Sequence, residues 1–297
     1  MPGSRLATVG TIEGFYGPPW SFEQRLDHLR FAAAAGFDTV VYAPKDDPYH
    51  RRRWREPYPE PELGRIAELA GTAAGLGLRF VYALHPALDM RYAEDGEHAT
   101  LAAKAAQVHG AGVREFALLF DDVPYELGEP DAAVFGAGAA GLGAAHGTTA
   151  ARFRDGFLAG HGIPGPLLVC PTDYAGVEPS AYRDAFAAAA PAEVVLTWTG
   201  RGVVVGTVTR AEIDAAFASY RRPLVLWDNF PVNDYDPSRL FLGPLTGRPA
   251  DVEGSALVGV IGNAMIEEAP SRIPLATTAA WARSPGTYRP AAAHAAA

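Results

Sequence analysis

The stretch Phe116-Ala-Leu-Leu-Phe-Asp121-Asp122-Val123-Pro124 sets five residues able to form a buried strand ahead of two adjacent carboxylates, and a proline closes the run. Carboxylates at the end of an apolar strand are costly to bury unless something uses or satisfies them. Such a pair either caps a following helix or performs acid–base work. Its spacing constrains that work. A retaining glycosidase with an enzyme nucleophile holds its two carboxyl groups ~5 Å apart across the scissile bond, usually from different strands. Consecutive residues leave one backbone site in different directions and suit two neighbouring tasks. One donates a proton to a leaving oxygen while the other orients a nearby substrate group.

Similar chemistry follows the other apolar runs. Glu13-Gly-Phe-Tyr-Gly-Pro-Pro-Trp20, Lys45-Asp46-Asp47, His85-Pro86, Pro171-Thr-Asp-Tyr174, Trp198-Thr199 and Trp227-Asp-Asn-Phe-Pro-Val-Asn-Asp234 each come directly after one, and Asn263 ends the last. Tyr16, Tyr174, Trp198 and Trp227 offer flat apolar faces for a sugar ring or an acetyl methyl. Lys45, Asn229, Asp234 and Asn263 offer hydrogen bonds to hydroxyls. With these groups around it, the aspartate pair fits a reaction in which a substrate acetamide carbonyl is the nucleophile, the exception to two-carboxylate chemistry.

The blander readings are specific. Asp46 and Asp47 would brace the cluster Arg51-Arg52-Arg53 through ion pairs. His50, His85 and His146 with the aspartate pair would make a metal-dependent hydrolase, but His-x-His and His-Glu-x-x-His spacings are missing. Cys170 is the one cysteine, which excludes an internal disulfide. It ends a buried run with no motif-paired histidine, so it is read as a small pocket-lining group and not a nucleophile.

Placing these groups together is the task of the intervening elements. Strand-like runs at 6–13, 39–43, 79–84, 116–120, 166–170, 193–198, 223–227 and 256–262 alternate with helical stretches near 21–35, 61–75, 99–109, 148–160, 179–190, 209–220, 237–246 and 274–283. Ser21-Phe-Glu-Gln24 and Thr209-Arg-Ala-Glu212 have the spacing of capping boxes. Eight strands alternating with eight helices predict an α/β fold, a single-domain (β/α)8 TIM barrel over 1–283, with 284–297 as a low-complexity tail. A doubly wound sheet is the alternative, but no G-x-G-x-x-G follows the first run. The small-residue stretch 132–147 reads as an exposed loop. The polar and aromatic groups above all fall at strand C-termini, the face on which barrel enzymes carry their sites.

The 297 residues suit one barrel of ~250 residues. A net charge of −9 gives no electrostatic reason for a nucleic-acid or anionic-membrane partner. No run approaches ~18 consecutive apolar residues, and the first ten residues lack a signal-peptide core. A cytoplasmic protein is the expectation.

Taken together, Glu13–Trp20, Tyr42-Ala-Pro-Lys-Asp-Asp-Pro-Tyr-His-Arg51, Phe116–Asp122, Cys170-Pro-Thr-Asp-Tyr174, Trp198-Thr-Gly200, Leu226-Trp-Asp-Asn-Phe-Pro-Val-Asn-Asp234 and Phe241-Leu-Gly-Pro244 closely resemble glycoside hydrolase family 84, the O-GlcNAcases and related β-N-acetylglucosaminidases. The resemblance runs from about Val9 to Trp281. It implies that Asp121 orients and polarises the 2-acetamido N–H. Asp122 is the general acid, later the base that activates water against an oxazoline intermediate. Tyr174 bonds the acetamide oxygen, and Trp227 with Cys170 lines the pocket for the acetyl methyl. Gly14 (through its backbone), Lys45, Asn229, Asp234 and Asn263 hold the sugar hydroxyls. It further implies a retaining, exo-acting enzyme that needs no metal or organic cofactor. Its partner is an N-acetylglucosamine-bearing glycoconjugate or glycoprotein.

The chain departs from the family pattern at several positions. His85-Pro86-Ala87 stands where Ser-Pro-Gly is common, Asp173 where glutamate is frequent, Ala264 where proline usually follows the asparagine, and Val204-Val205 in place of a Val-Ser pair. A catalytically silent N-acetylhexosamine-binding barrel is the competing class. Keeping Asp121, Asp122 and Tyr174 together favours the enzyme. The aglycone and the oligomeric state are not encoded in these motifs.

Overall fold

A computed structural model describes residues 6–297. Residues 1–5, part of the stretch without a signal-peptide core, lie outside the described residues. Eight parallel strands close into one barrel in sequence order: β1 (Thr8–Glu13), β2 (Thr39–Tyr42), β3 (Arg79–Leu84), β4 (Glu115–Leu119), β5 (Leu168–Cys170), β6 (Val195–Trp198), β7 (Leu224–Asp228) and β8 (Leu257–Asn263). Closure is direct, with Val9 opposite Val260 and Ile12 opposite Asn263. All eight expected strands are present, so the (β/α)8 barrel stands.

The strands are buried on both faces, and the period-2 alternation sorts their side chains. Ile12, Val41, Ala43, Val81, Ala83, Ala117, Leu119 and Ile261 fill the barrel. Val9, Val40, Tyr42, Tyr82, Leu118, Leu196 and Val260 face the helical layer. Trp198 belongs to that outer layer. It is fully buried with its Nε1–H donating to the Gly176 carbonyl, so it does not offer a face to a sugar.

The outer layer comprises α1 (Phe22–Ala35), α2 (Glu60–Gly75), α3 (Asp95–Gly110), α4 (Glu129–Phe135), α5 (Gly138–Arg152), α6 (Ala181–Ala189), α7 (Arg210–Tyr220) and α8 (Glu268–Arg283), and a short α9 (Pro290–Ala295) follows. Both capping boxes form, at Ser21 with Gln24 and at Thr209 with Glu212. The supposed loop at 132–147 is instead the end of α4 and most of α5. Its glycines serve contact: a Cβ on Gly143 would sit 2.2 Å from the Tyr182 carbonyl oxygen, so only glycine lets α5 approach α6 this closely. A π-helical turn, Phe153–Leu158, continues α5.

The helix expected at 237–246 is absent. Pro244 lacks an N–H, and the neighbouring donors are taken by tertiary partners: Phe241 N–H by Met265 Sδ and Leu245 N–H by Thr277 Oγ1. The β7–β8 connection is therefore an irregular loop over the C-terminal rim. Beyond α8, Pro285 is buried and the Tyr288 hydroxyl donates to the Leu245 carbonyl.

Candidate active site

The C-terminal ends of β1, β2, β4, β5, β7 and β8 converge on one cavity of about 210 Å³, a volume on the scale of a single sugar. Gly14, Lys45, Asp121, Asp122, Cys170, Tyr174, Trp227, Asn229, Asp234 and Asn263, the ten residues to which the family resemblance gives a role, all line it, whereas Trp198 does not. Tyr16, Thr199, Val203, Val204, Val232 and Tyr235 complete the wall.

Strand β4 ends just before the aspartates, and no helix begins until α4, which follows Gly128. The pair therefore caps nothing. Two contacts hold its backbone: Thr172 Oγ1–H donates to the Phe120 carbonyl (2.6 Å) and His85 Nε2–H to the Asp121 carbonyl (2.9 Å). Asp122 has φ +56°, in the left-handed region. That region costs most residues roughly 1–2 kcal/mol and is tolerated best by Gly, Asn and Asp. The turn brings both carboxylates into one cavity instead of onto opposite faces of a strand.

The two carboxyl groups differ in environment. Asp121 is buried, and its Oδ2 accepts from Lys45 Nζ at 2.7 Å. Burial alone would push its pKa up, but the Lys45 ammonium and His85 outweigh it and hold Asp121 well below the usual carboxylate range. Its Oδ1 has no protein hydrogen-bond partner among the described residues. Asp122 is the wetter of the two, with 34% side-chain exposure against 7% for Asp121. Its Oδ2 accepts from the Tyr16 hydroxyl (2.6 Å) and its Oδ1 from the Tyr174 hydroxyl (3.0 Å). Burial, then the Asp122 charge, raises the Tyr174 phenol, so both tyrosines are donors at working pH.

The rest of the wall is cross-braced. Asn263 Oδ1 accepts from the Gly14 N–H (3.1 Å), while Asn263 Nδ2 donates to Asn229 Oδ1 (2.9 Å). Trp227 Nε1–H donates to the same Asn229 oxygen (3.1 Å), and the Tyr16 N–H donates to Asp234 Oδ2 (2.8 Å). A Cβ on Gly14 would stand 2.7 Å from Trp227 Cζ2, which explains glycine at the end of β1. The buried Cys170 thiol is pushed well above its ordinary pKa by burial, which leaves it protonated.

The competing assignments of charged groups change. Asp47 does not brace the arginine cluster; its Oδ2 accepts from the hydroxyls of Tyr42 (2.8 Å) and Tyr58 (2.6 Å). His50 Nε2–H donates to the Pro44 carbonyl, and burial lowers its pKa to about 4. His146 stacks on Phe120 between the Tyr92 and Tyr182 hydroxyls. Among the described residues no three His, Cys, Asp or Glu side chains are grouped as metal ligands would be. The sequence named Tyr16 only as an aromatic face and left unseen its hydrogen bond to Asp122. Only the position of Tyr16 in the Glu13–Trp20 motif marked it.

Known proteins are similar to this chain in sequence and architecture. A family model described as beta-N-acetylglucosaminidase matches residues 9–297. The Protein O-GlcNAcases of Rattus norvegicus and Mus musculus are each 34% identical over 288 residues, covering 95% of this chain and 30% of the relative. A solved mutant of the Thermobaculum terrenum O-GlcNAc hydrolase superposes with TM-score 0.90 at 32% identity, covering 97% of this chain and 62% of that one. The chain thus spans about 30% of the length of the curated relatives it matches.

Proposed function

Because the chain belongs to glycoside hydrolase family 84, the β-N-acetylglucosaminidases, we propose that it is a retaining exo-β-N-acetylglucosaminidase that uses the acetamide of its substrate as nucleophile. The observation that carries the proposal is the unequal aspartate pair. Asp121 is held charged by Lys45 with one oxygen unclaimed, and Asp122 sits beside it in contact with two tyrosine hydroxyls.

In this reading Asp121 Oδ1 accepts the acetamide N–H, turning the carbonyl oxygen toward the anomeric carbon. That oxygen attacks C1 as the bond to the aglycone breaks, and Asp122 delivers its proton to the departing oxygen. The resulting ring keeps its N–H proton on nitrogen as an oxazolinium ion, whose positive charge lies next to the Asp121 carboxylate, an interaction that a low-dielectric site strengthens. Asp122, now a carboxylate, takes a proton from water as that water attacks C1 and reopens the ring. Two inversions give retention. Tyr174 passes its hydroxyl from Asp122 to the acetamide oxygen, while Trp227 and Cys170 face the methyl. Asn229, Asp234, Asn263 and the Gly14 backbone position the sugar hydroxyls.

The same proposal covers the aglycone. Relatives named as protein O-GlcNAcases support N-acetylglucosamine on protein serine or threonine as one substrate class. Cell-wall or hyaluronan fragments and small glycoconjugates share the same terminal sugar. Hydrolysis of one representative of each, followed by proton NMR of freshly released sugar, tests the reading. The β-anomer appears first if the enzyme retains; the α-anomer first rules retention out. Binding without turnover of any of them identifies a silent sugar-binding barrel.

A further inference from the structure

Adjacent residues in extended chain point to opposite sides, so an acid that shares a cavity with its neighbour needs a backbone turn between them. Asp122 supplies that turn at φ +56°. The peptide unit that leads into it is the one whose carbonyl belongs to Asp121. That carbonyl accepts from a side chain off a different strand, His85 Nε2 at 2.9 Å.

His85 follows β3, is fully buried, and is itself anchored by its backbone N–H, which donates to the His50 carbonyl at 2.8 Å. A carbonyl only accepts, so the proton of a neutral ring must lie on Nε2. Burial keeps the ring below the ordinary histidine range; the Lys45 and Arg51 charges add to this, and Asp121 opposes it. The same nitrogen lies 3.6 Å from Asp121 Oδ1, too long for a hydrogen bond under these geometries. The ring's hydrogen bond is therefore to the backbone of the pair, and its effect on the Asp121 carboxylate is electrostatic only.

From this geometry we infer that His85 is a positioning residue for the acid: by holding the Asp121 carbonyl it fixes the left-handed turn that aims Asp122 at the leaving oxygen. Thr172 holds the preceding carbonyl, that of Phe120, from β5's side. The end of β4 is thus pinned from both neighbouring strands, and His85 controls the last peptide before the acid. The inference rests on Asp122 being the general acid and adds the group that sets its direction.

The test compares leaving groups. An acid that is present but misdirected hurts substrates that need protonation and spares those that do not. Rates of hydrolysis are measured on phenyl and 2,4-dinitrophenyl β-N-acetylglucosaminides for the wild type, His85→Leu, His85→Gln and Asp122→Asn, with thermal melting of each. Misplacement near the chemistry costs up to ~10²-fold, so His85→Leu is expected to lose about 10–100-fold in kcat/KM on the phenyl substrate and less than about threefold on the dinitrophenyl one. His85→Gln, whose side-chain amide N–H reaches where Nε2–H does, restores the phenyl rate. A purely structural role lowers the melting temperature without this split. If His85→Leu does not fold, His85→Asn replaces it, its shorter amide falling short of the Asp121 carbonyl.

Equal losses on both substrates, or no loss, overturn the role of His85 when Asp122→Asn shows the split. If Asp122→Asn itself shows no split, the acid assignment fails instead, and the two failures are told apart.

Discussion

Lys45 Nζ lies 2.7 Å from Asp121 Oδ2 and 3.9 Å from Asp122 Oδ2, so one buried ammonium faces both carboxylates of the adjacent pair. Sequence alone assigned Lys45 to sugar hydroxyls. In the structure its nearest partner is the Asp121 carboxylate, which it keeps charged.

Removing that ammonium leaves a buried carboxylate unpaired. Lys45→Met is expected to cost about 3–5 kcal/mol at neutral pH, the usual penalty for breaking a buried pair. The sign with pH follows from the depressed folded value of Asp121. The stabilisation is present above the unfolded carboxylate value of about 3.9 and is lost as pH falls toward the lower folded value. In the variant, burial without the cation favours the protonated form, so the gap to wild type narrows on acidification. Denaturation midpoints of both proteins at pH 7.5 and pH 4 measure this. A gap that widens in acid contradicts the pairing.

Gly14 and Trp227 pack closely in the pocket wall, with only 2.7 Å between a hypothetical Cβ and the indole. Gly14→Ala must displace Trp227. Overpacking of this kind costs about 1–3 kcal/mol of stability, and a displaced indole misplaces the substrate, so kcat/KM is expected to fall by roughly tenfold or more. Unchanged kinetics would mean the indole does not bear on the substrate.

Cys170 lines the cavity with a protonated, buried thiol. Cys170→Ala is expected to retain activity within about tenfold, since only packing is lost. The folded protein is expected to resist a thiol reagent such as dithiobis-nitrobenzoate at pH 8 until it is denatured. Rapid labelling with loss of activity would indicate a reactive thiol.

The barrel was legible because strands buried on both faces read as short apolar runs, and each ends near its expected residue. Less legible was α5. Its glycines suggest a loop until Tyr182 is seen against Gly143, where close approach outweighs poor helix propensity. Conversely, 237–246 has helix-like residues whose N–H groups are claimed by Thr277 and Met265, partners no local pattern reveals. The site was legible as strand-end residues, and Asp121, Asp122, Tyr174, Trp227 and Asn263 meet as expected. Its wiring was not. Which donor serves which oxygen depends on contacts such as Tyr16 to Asp122, separated by 106 positions, and His85 to Asp121, separated by 36. Trp198 shows the converse limit: one position decides whether a strand-end indole faces the cavity or the helices.

Acetamide participation is tested by the rate of hydrolysis across aryl N-acetyl-, N-fluoroacetyl-, N-difluoroacetyl- and N-trifluoroacetyl-β-glucosaminides. Each fluorine weakens the carbonyl oxygen as a nucleophile while the aglycone stays the same. If the substrate acetamide is the nucleophile, kcat/KM falls steeply and monotonically along the series. A trifluoroacetyl substrate cleaved as fast as the acetyl one would contradict it and return the search to a nucleophile on the protein.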